Sequence, residues 1–471
     1  MDSGGFVDLT HPVTCTICDW KIRGGHVEYV IQCKRTLGNE STWKIQRRYS
    51  DFFALNKTLE CFGVPLGLPP KKYFGNTKER FVKERMAELQ RFLENITLSP
   101  IIYASAVVVA FLDLSQDANK DVQSLFLTAL RNRRTWTLSD IWQNIGWRSS
   151  KTFAAVSWSG SGARKIPKHL VSWMPLGIDS PNATIDELNE MLEVIHELNS
   201  PYINEPTESW ATRRGVGVVQ PIFADGMLRD HLYKSRADEP FFLKYGFDRQ
   251  VYTLEQVDVC FIGRQLLESL LLLNSIPIPF VNVHCGNILV TDTGCELLDI
   301  QFVLCGQPSL YRPAMVRSQS VKTIEDMMVF VFGELIYEVV TGFIVFPDHS
   351  PEQAISLCPP AFHPLLRSIF QPDRAKGLPS LTDVIQLPLF ADVPVVRMSK
   401  KEISISATAK KLFDDLAANI ERRLQEDQYK LSRSRKLEEW NQFLNSEEQK
   451  IKRRKIVHLE QLKMTKDAPN T

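Results

Sequence analysis

The chain has 471 residues, of which 44% are hydrophobic and 24% are charged, and these proportions exclude a fibrous repeat and a wholly disordered chain. The 56 Lys and Arg residues nearly balance the 55 Asp and Glu residues, so the net charge is +1. This balance argues against a protein that coats nucleic acid over its whole surface. At roughly 150 residues per domain, the length predicts about three folded units.

The cysteine pattern and the hydropathy pattern both bear on location. Nine cysteines without a framework spacing, and no secretory signal, predict a reducing cytosolic environment. The longest stretch without a charged side chain, 269–291, contains prolines, asparagines and a histidine, which would leave backbone groups unpaired in a bilayer. We therefore expect any contact with a membrane to be peripheral.

The first part of the chain, 6–116, has the pattern of a small α+β unit. Three runs rich in β-branched and aromatic residues predict strands: 13–20, 26–34 and 41–47. Ser50 and Asp51 can cap a helix that follows the third strand. A proline-containing loop over 64–75 leads to a second helix from about Thr77. The polar segment 117–135 is predicted to be a helical connection.

Three elements of this unit carry residues suited to an inositol phosphate. The motif RRYSDF, 47–52, joins the third strand to the first helix, the loop 69–74 reads PPKKYF, and Arg85 lies on the second helix. A guanidinium can bind two phosphate oxygens at once, a lysine supplies a point charge, and an aromatic ring can pack under the sugar. The two prolines stiffen the loop that carries Lys71. Each element alone is typical of an ordinary protein surface, but the three together favour a headgroup site.

With these motifs, residues 13–114 resemble the phox-homology (PX) domain, a three-stranded sheet with helices that binds phosphoinositides. The resemblance implies that Arg48 holds the 3-phosphate and that Tyr49 stacks against the inositol ring. It also implies that Lys71 contacts the 1-phosphate and that Arg85 contacts the edge with the 4- and 5-hydroxyls. This set implies a preference for phosphatidylinositol 3-phosphate, the lipid of early endosomes.

The tip of the same loop predicts a second kind of membrane contact. Tyr73 and Phe74 follow Lys71 and Lys72 directly. Aromatic residues beside lysines are the types that insert into a lipid interface. We therefore expect Tyr73 and Phe74 to be the membrane-inserting loop.

The second unit, 136–395, has landmarks that resemble a protein kinase and imply a two-lobed fold. Residues 218–232 resemble the hinge between the lobes, HCGNILV at 284–290 resembles the end of the catalytic loop, and LLDIQ at 297–301 resembles the metal-binding strand. A nearly all-apolar pattern at 327–341 predicts a buried central helix.

Phosphoryl transfer needs metal ligands, a lysine on the phosphates and an aspartate that orients the attacking hydroxyl. Asn287 and Asp299 match the two metal-ligand positions, so residual binding of ATP and Mg²⁺ stays open. A structural role for each, as a loop cap or a turn residue, is an equal alternative.

Other chemical positions depart from the kinase pattern. Asn282 takes the place of the catalytic aspartate and has no carboxylate to accept a proton. We expect the strand 153–158 to be the one that should carry the phosphate lysine, and it has none; Glu190 lies near the place of its helix partner. Gln301 replaces the last glycine of the metal-binding triplet. These departures predict a pseudokinase with no catalytic residues, no required cofactor and no certain metal site.

The last segment, 396–471, alternates in charge and predicts a charged helical tail. Leu412, Leu416, Ile420 and Leu424 recur every four residues, which predicts a surface helix with one narrow apolar stripe. The basic run 450–455 is typical of a solvated helix face and could also reinforce contact with anionic lipid.

The whole chain is thus predicted to be an α+β multidomain protein. Its order of PX unit, degenerate kinase unit and charged tail resembles the PX domain-containing serine/threonine kinase-like family, which is related to the sorting nexins. The resemblance implies a cytosolic adaptor that phosphatidylinositol 3-phosphate recruits to endosomes, or to the plasma membrane, for receptor trafficking. The kinase-like unit and tail would bind proteins that the sequence does not identify. Nucleic acid is not an expected partner. Actin is not expected either, because the tail has the pattern of a charged helix.

An alternative reading remains open at this point. An atypical, active serine/threonine kinase could be targeted to membranes by the same PX unit, with Asn287 and Asp299 holding a metal–nucleotide complex.

Overall fold

The computed structural model describes residues 13–35, 42–60, 66–72, 77–98, 100–103, 105–112, 122–131, 135–142, 145–146, 151–158, 169–177, 179–246, 249–344, 350–373, 375–396 and 403–445. Within these ranges, no helix combines the length and the apolar character that crossing a bilayer requires. The predicted membrane-inserting pair, Tyr73 and Phe74, and the basic run 450–455 lie outside the described residues.

A three-stranded antiparallel sheet forms the N-terminal unit. Its strands, paired in chain order, are β1 (Val13–Arg23), β2 (His26–Arg35) and β3 (Thr42–Arg48). Four helices follow: α1 (Tyr49–Glu60), α2 (Glu79–Leu98), α3 (Pro100–Tyr103) and α4 (Ala106–Leu112). Val13, Cys15 and Ile17 of β1 are buried in alternation with exposed residues, because one face of the sheet packs against the helices. The three predicted strands and two predicted helices are confirmed.

Phe52 of α1 lies in the core of this unit. Its ring makes edge contacts with the rings of Tyr29, Phe92 and Phe111, at centroid distances between 5.1 and 6.3 Å. The phenylalanine of the RRYSDF motif therefore anchors α1 to the sheet, to α2 and to α4. This anchor fixes the position of the strand–helix junction that precedes it.

A five-stranded antiparallel sheet forms the small lobe of the second unit, in the order β4-β5-β6-β8-β7. The strands are β4 (Trp136–Trp142), β5 (Thr152–Trp158), β6 (His169–Pro175), β7 (Glu208–Thr212) and β8 (Gly215–Pro221). Two helices accompany it: α5 (Val122–Leu130) and α6 (Ile185–His196). Phe126 of α5 is buried with Trp136 and Trp173. Within the predicted helical connection, 117–135, the described helix α5 thus contributes to the core of the small lobe.

The large lobe is mainly helical. Its elements are α7 (Leu228–Tyr233), α8 (Phe241–Tyr245), α9 (Gln256–Ser275), the hairpin β9 (Ile288–Thr291) and β10 (Gly294–Leu297), α10 (Arg312–Arg317), α11 (Ile324–Thr341), α12 (Pro351–Ser356), α13 (His363–Phe370) and α14 (Leu381–Ile385). Nearly every residue of α11 is buried. This burial confirms the central helix predicted from its apolar pattern.

One long helix, α15 (Ala407–Asn445), forms most of the described part of the tail. The predicted apolar stripe is confirmed, but it does not face solvent: Leu412, Leu416, Ile420 and Leu424 are buried in the same core as the large lobe. The helix has contacts with α6 and α10. The stripe therefore docks α15 on the kinase-like unit.

The two units also share apolar packing. Phe241 and Phe242 of α8 stack at a centroid distance of 4.1 Å. Together with Tyr245 they are buried in the cluster that contains the core of the PX unit. The short helix α8 therefore joins the kinase-like unit to the N-terminal unit.

Candidate functional site

The strand–helix junction positions Arg48. The Asp51 carboxylate accepts the backbone N–H of Arg48 at 2.7 Å, which caps the first turn of α1. Across the sheet, Arg48 pairs in register with Glu28, and its guanidinium donates to the Glu28 carboxylate at 2.8 and 3.1 Å. The Arg48 side chain is 49% exposed. Solvent can therefore reach the cation even though Glu28 orients it.

Tyr49 links the junction to the proline loop. Its hydroxyl donates to the carbonyl oxygen of Pro69 at 2.5 Å. Its ring lies 4.3 Å from the guanidinium carbon of Arg85. Partial burial raises the pKa of the Tyr49 phenol, and the nearby Arg85 charge opposes that rise. The ring and hydroxyl thus hold the loop and α2 beside the junction.

Arg85 is the buried cation of this site. It is 5% exposed, and its guanidinium carbon lies 4.3 Å from the ring centroids of both Tyr49 and Phe81. One N–H donates to the carbonyl oxygen of Pro70 at 3.0 Å, and Lys71, the next residue, is exposed. Two aromatic rings stabilise the guanidinium by cation–π attraction and leave its positive charge in place.

The structure therefore brings three of the four predicted headgroup residues together: Tyr49, Arg85 and the loop position Lys71. Arg48 adjoins Tyr49, but its guanidinium is turned to Glu28. The contacts of each side chain with particular phosphates remain predictions. Sequence reasoning missed Glu28, because a cross-strand partner 20 residues away has no local signal.

A cleft lies between the two lobes of the second unit. Its wall includes Leu170 of β6, the segment 220–223 that leaves β8, and the polar residues Lys151, Asn287 and Asp299. Asp299 begins a 3-10 turn with a left-handed backbone, φ 72°. The predicted hinge, catalytic-loop end and metal-binding strand therefore meet in one place.

The two asparagines of the catalytic-loop region are both hydrogen-bonded. The Asn287 side chain accepts the His284 N–H at 2.9 Å and donates to the Asn282 carbonyl at 2.8 Å. The Asn282 side-chain oxygen accepts the Leu310 N–H at 3.0 Å. Asn282 thus fixes the loop and offers no carboxylate at the position of the general base.

Asp299 forms an ion pair with Lys151, which lies one residue before β5. The sequence pattern predicts that the strand 153–158 should carry the phosphate lysine, and this strand has none. That strand assignment is wrong, because β5 is second in the sheet and β6 is the third strand. The lysine that reaches the cleft was missed because its position depends on the register of the sheet.

Glu190 lies on α6 and is not among the residues that line the cleft. Its carboxylate accepts a hydrogen bond from Ser406, in the segment just before α15. The residue is therefore engaged with the tail.

Buried charges along the cleft wall are paired with one another. Arg229 and Glu338 lie 2.6 Å apart, and Lys244 and Asp230 lie 2.9 Å apart, with all four side chains at most 5% exposed. The Glu338 charge raises the pKa of Arg229 against the effect of burial, so the guanidinium stays charged. These pairs stiffen the wall below the hinge.

The chain is similar in sequence to known proteins. Residues 35–115 match the family model of the PX domain. Over 439 residues, 92% of this chain and 74% of the relative, the chain is 30% identical to the PX domain-containing protein kinase-like protein of Mus musculus.

Two further relatives match parts of the chain. Over 272 residues, 55% of this chain and 45% of the relative, it is 27% identical to the probable inactive serine/threonine-protein kinase slob2 of Dictyostelium discoideum. Over 109 residues, 22% of this chain and 31% of the relative, it is 38% identical to sorting nexin-16 of Homo sapiens. With a PX sheet, a two-lobed kinase-like unit and this extent of similarity, the chain belongs to the family of PX domain-containing protein kinase-like proteins.

Proposed function

We propose that this protein is a peripheral membrane adaptor that reads phosphatidylinositol 3-phosphate on endosomes and acts in receptor trafficking. In this proposal the kinase-like unit is a scaffold for protein partners and transfers no phosphate. The convergence of Tyr49, Arg85 and the Lys71 loop beside the exposed Arg48 carries the proposal. The PX match and the similarity to a sorting nexin support it.

The site suits a phosphorylated headgroup for electrostatic reasons. In the Arg48–Glu28 pair the arginine side chain is 49% exposed and the glutamate side chain is 11% exposed, so solvent screens the pair from the Arg48 side only. A headgroup phosphate can reach Arg48 from solvent and form charge-assisted hydrogen bonds with it, while Glu28 keeps the guanidinium oriented. Arg85 adds a positive charge that is already held in place, so less ordering is needed on binding.

The scaffold role rests on the catalytic-loop geometry. The Asn282 amide cannot accept a proton from a substrate hydroxyl, and its oxygen is already bonded to Leu310. The similarity to a relative named as a probable inactive kinase supports this part of the proposal.

Vesicle sedimentation of the full chain tests the lipid site. Arg48→Ala is expected to weaken binding to vesicles with phosphatidylinositol 3-phosphate by at least about tenfold, because a charge-assisted contact is lost. Arg91→Ala removes an exposed arginine elsewhere on α2 and is the matched control, expected to leave binding unchanged. Equal binding by Arg48→Ala and the parent, or equal binding to vesicles of other phosphoinositides, contradicts the proposal.

Imaging in living cells tests the location. Endosomal fluorescence of the tagged chain should disperse when a phosphoinositide 3-kinase inhibitor is added. Retention on endosomes after lipid depletion contradicts lipid-driven recruitment.

A further inference from the structure

The third strand of the small-lobe sheet supplies no cation to the interlobe cleft. In protein kinases this strand carries the lysine that holds the nucleotide phosphates. Here β6 reads HLVSWMP and contains no lysine. Leu170 of β6 lines the cleft, while the Ser172 hydroxyl is buried and donates to the Val218 carbonyl at 3.4 Å. The strand therefore contributes an apolar wall.

Lys151, the residue before the neighbouring strand β5, lines the same cleft. Its ammonium forms an ion pair with Asp299, and each side chain is 10% exposed. The ring centroids of Phe153 and Phe302 lie 5.6 and 5.2 Å from the ammonium nitrogen. Lys151 is thus a largely buried cation at the end of the cleft where Asp299 lies.

We infer that the cleft binds a nucleoside di- or triphosphate together with a divalent cation, and that Lys151 holds the phosphate oxygens in place of the absent β6 lysine. Asp299 and Asn287 supply oxygen ligands for the cation. Mg²⁺ usually takes one or two carboxylates and completes its shell with substrate phosphates and water. The Asn287 oxygen accepts one hydrogen bond, from His284, and keeps a second lone pair.

The apolar part of the cleft lining suits a planar base. Leu170, Met227 and Leu298 supply apolar surface to the cleft, and the segment 220–223 forms part of its wall. An apolar slot beside a few polar groups is the usual composition of a small-molecule site.

The ion pair makes nucleotide and cation binding interdependent. A cation that took Asp299 alone would leave Lys151 buried without its carboxylate, which is costly. A nucleotide that took Lys151 alone would bring phosphates close to the Asp299 charge. The metal–nucleotide complex satisfies both groups at once. This inference goes beyond the proposed function, because headgroup binding by the PX unit does not require it.

Thermal unfolding of the full chain tests the interdependence. MgATP is expected to raise the melting temperature, whereas Mg²⁺ alone and ATP with EDTA are expected to raise it little or not at all. Absence of a shift with MgATP, or an equal shift with ATP in EDTA, overturns the inference.

Two measurements test Lys151 itself. Lys151→Met is expected to weaken MgATP binding at least about tenfold, while the matched variant Lys376→Met, at an exposed turn, keeps it. A biotinylated acyl phosphate of ATP gives a second readout on the unmodified chain, because the lysine amine attacks the acyl carbon and releases ATP. Labelling of Lys151 that excess MgATP blocks supports the inference. Unblocked labelling, or full binding by Lys151→Met, overturns it.

Vesicle binding separates this inference from the proposed function. Lys151→Met should bind phosphoinositide vesicles like the parent, because the lipid site lies in the N-terminal unit. A cooperative unfolding transition without ligand shows that the variant is folded. Loss of nucleotide binding in this variant therefore leaves the lipid proposal untouched, and failure of Arg48→Ala to lose lipid leaves the nucleotide inference untouched.

Discussion

Arg312 of α10 and Asp427 of α15 form an ion pair at 2.8 Å in which both side chains are at most 4% exposed. Four residues earlier on α15, Arg423 pairs with Asp179 of the small-lobe side at 3.1 Å. Burial raises the pKa of Asp179, and the charges of Arg423 and Arg312 oppose that rise. Two charge pairs therefore fasten one helix to both lobes.

Asp427→Asn is expected to destabilise the protein by about 3 kcal/mol, because it leaves the Arg312 charge buried without its carboxylate. Urea unfolding measures the change. Glu426→Gln on the same helix is the control, expected to change stability by about 0.5 kcal/mol or less, since its pair with Arg422 is exposed. Equal effects of the two variants would contradict the importance of the buried pair.

Phe241→Ala is expected to cost about 3–5 kcal/mol and to loosen the contact between the two units. The reason is that the ring is 1% exposed and lies in the core shared with the PX unit. Limited proteolysis should then cut more readily between the units. Leu243→Ala, which is 43% exposed on the same helix, is the control. An unchanged cleavage pattern in Phe241→Ala speaks against the shared core.

Tyr49→Phe and Tyr49→Ala separate the two contacts of this residue. Phenylalanine keeps the ring on Arg85 and loses the hydrogen bond to Pro69, worth about 1 kcal/mol. Alanine loses both, so we expect the larger loss of vesicle binding from Tyr49→Ala. Vesicle sedimentation of both variants measures this, and equal losses would assign the whole effect to the hydroxyl.

Ionisation of the Tyr29 phenol is expected to lower the stability of the fold at alkaline pH. Burial raises its pKa to about 12, against an opposing effect of Arg85. The unfolded chain therefore loses this proton first, near pH 10, and stability falls as pH rises from there to about 12. The stabilisation lost over this window is at most about 3 kcal/mol.

Unfolding of Tyr29→Phe across that range measures the effect. The variant should lose less stability than the parent, because the phenol that drives the loss is absent. Tyr429→Phe, at a side chain that is 68% exposed, should follow the parent. A parent-like slope in Tyr29→Phe refutes the assignment.

Local patterns were sufficient to predict most elements of the fold. Alternating apolar residues located β1 to β3, and a nearly all-apolar run located α11. Burial of one strand face or of a whole helix produces such patterns among residues close in sequence. The apolar stripe of α15 was also found. The surface on which α15 docks was not predicted, because an apolar stripe does not identify the surface that covers it.

The candidate sites show the same division. Contiguous motifs and helix position singled out Tyr49, Lys71 and Arg85 as candidates, and their contacts with a headgroup stay predictions. Glu28 and Lys151 were missed, because each reaches its site through pairing between strands distant in sequence. The strand for the phosphate lysine was misassigned for the same reason: sheet order depends on long-range contacts.

The paired phenylalanines of α8 have a consequence at the bilayer. If the proposed lipid binds at the strand–helix junction, the packing of α8 in the core of the PX unit would also fix the tilt of the kinase-like unit and its height above the headgroups. The same surface of the kinase-like unit would then always point away from the membrane and be accessible to cytosolic proteins.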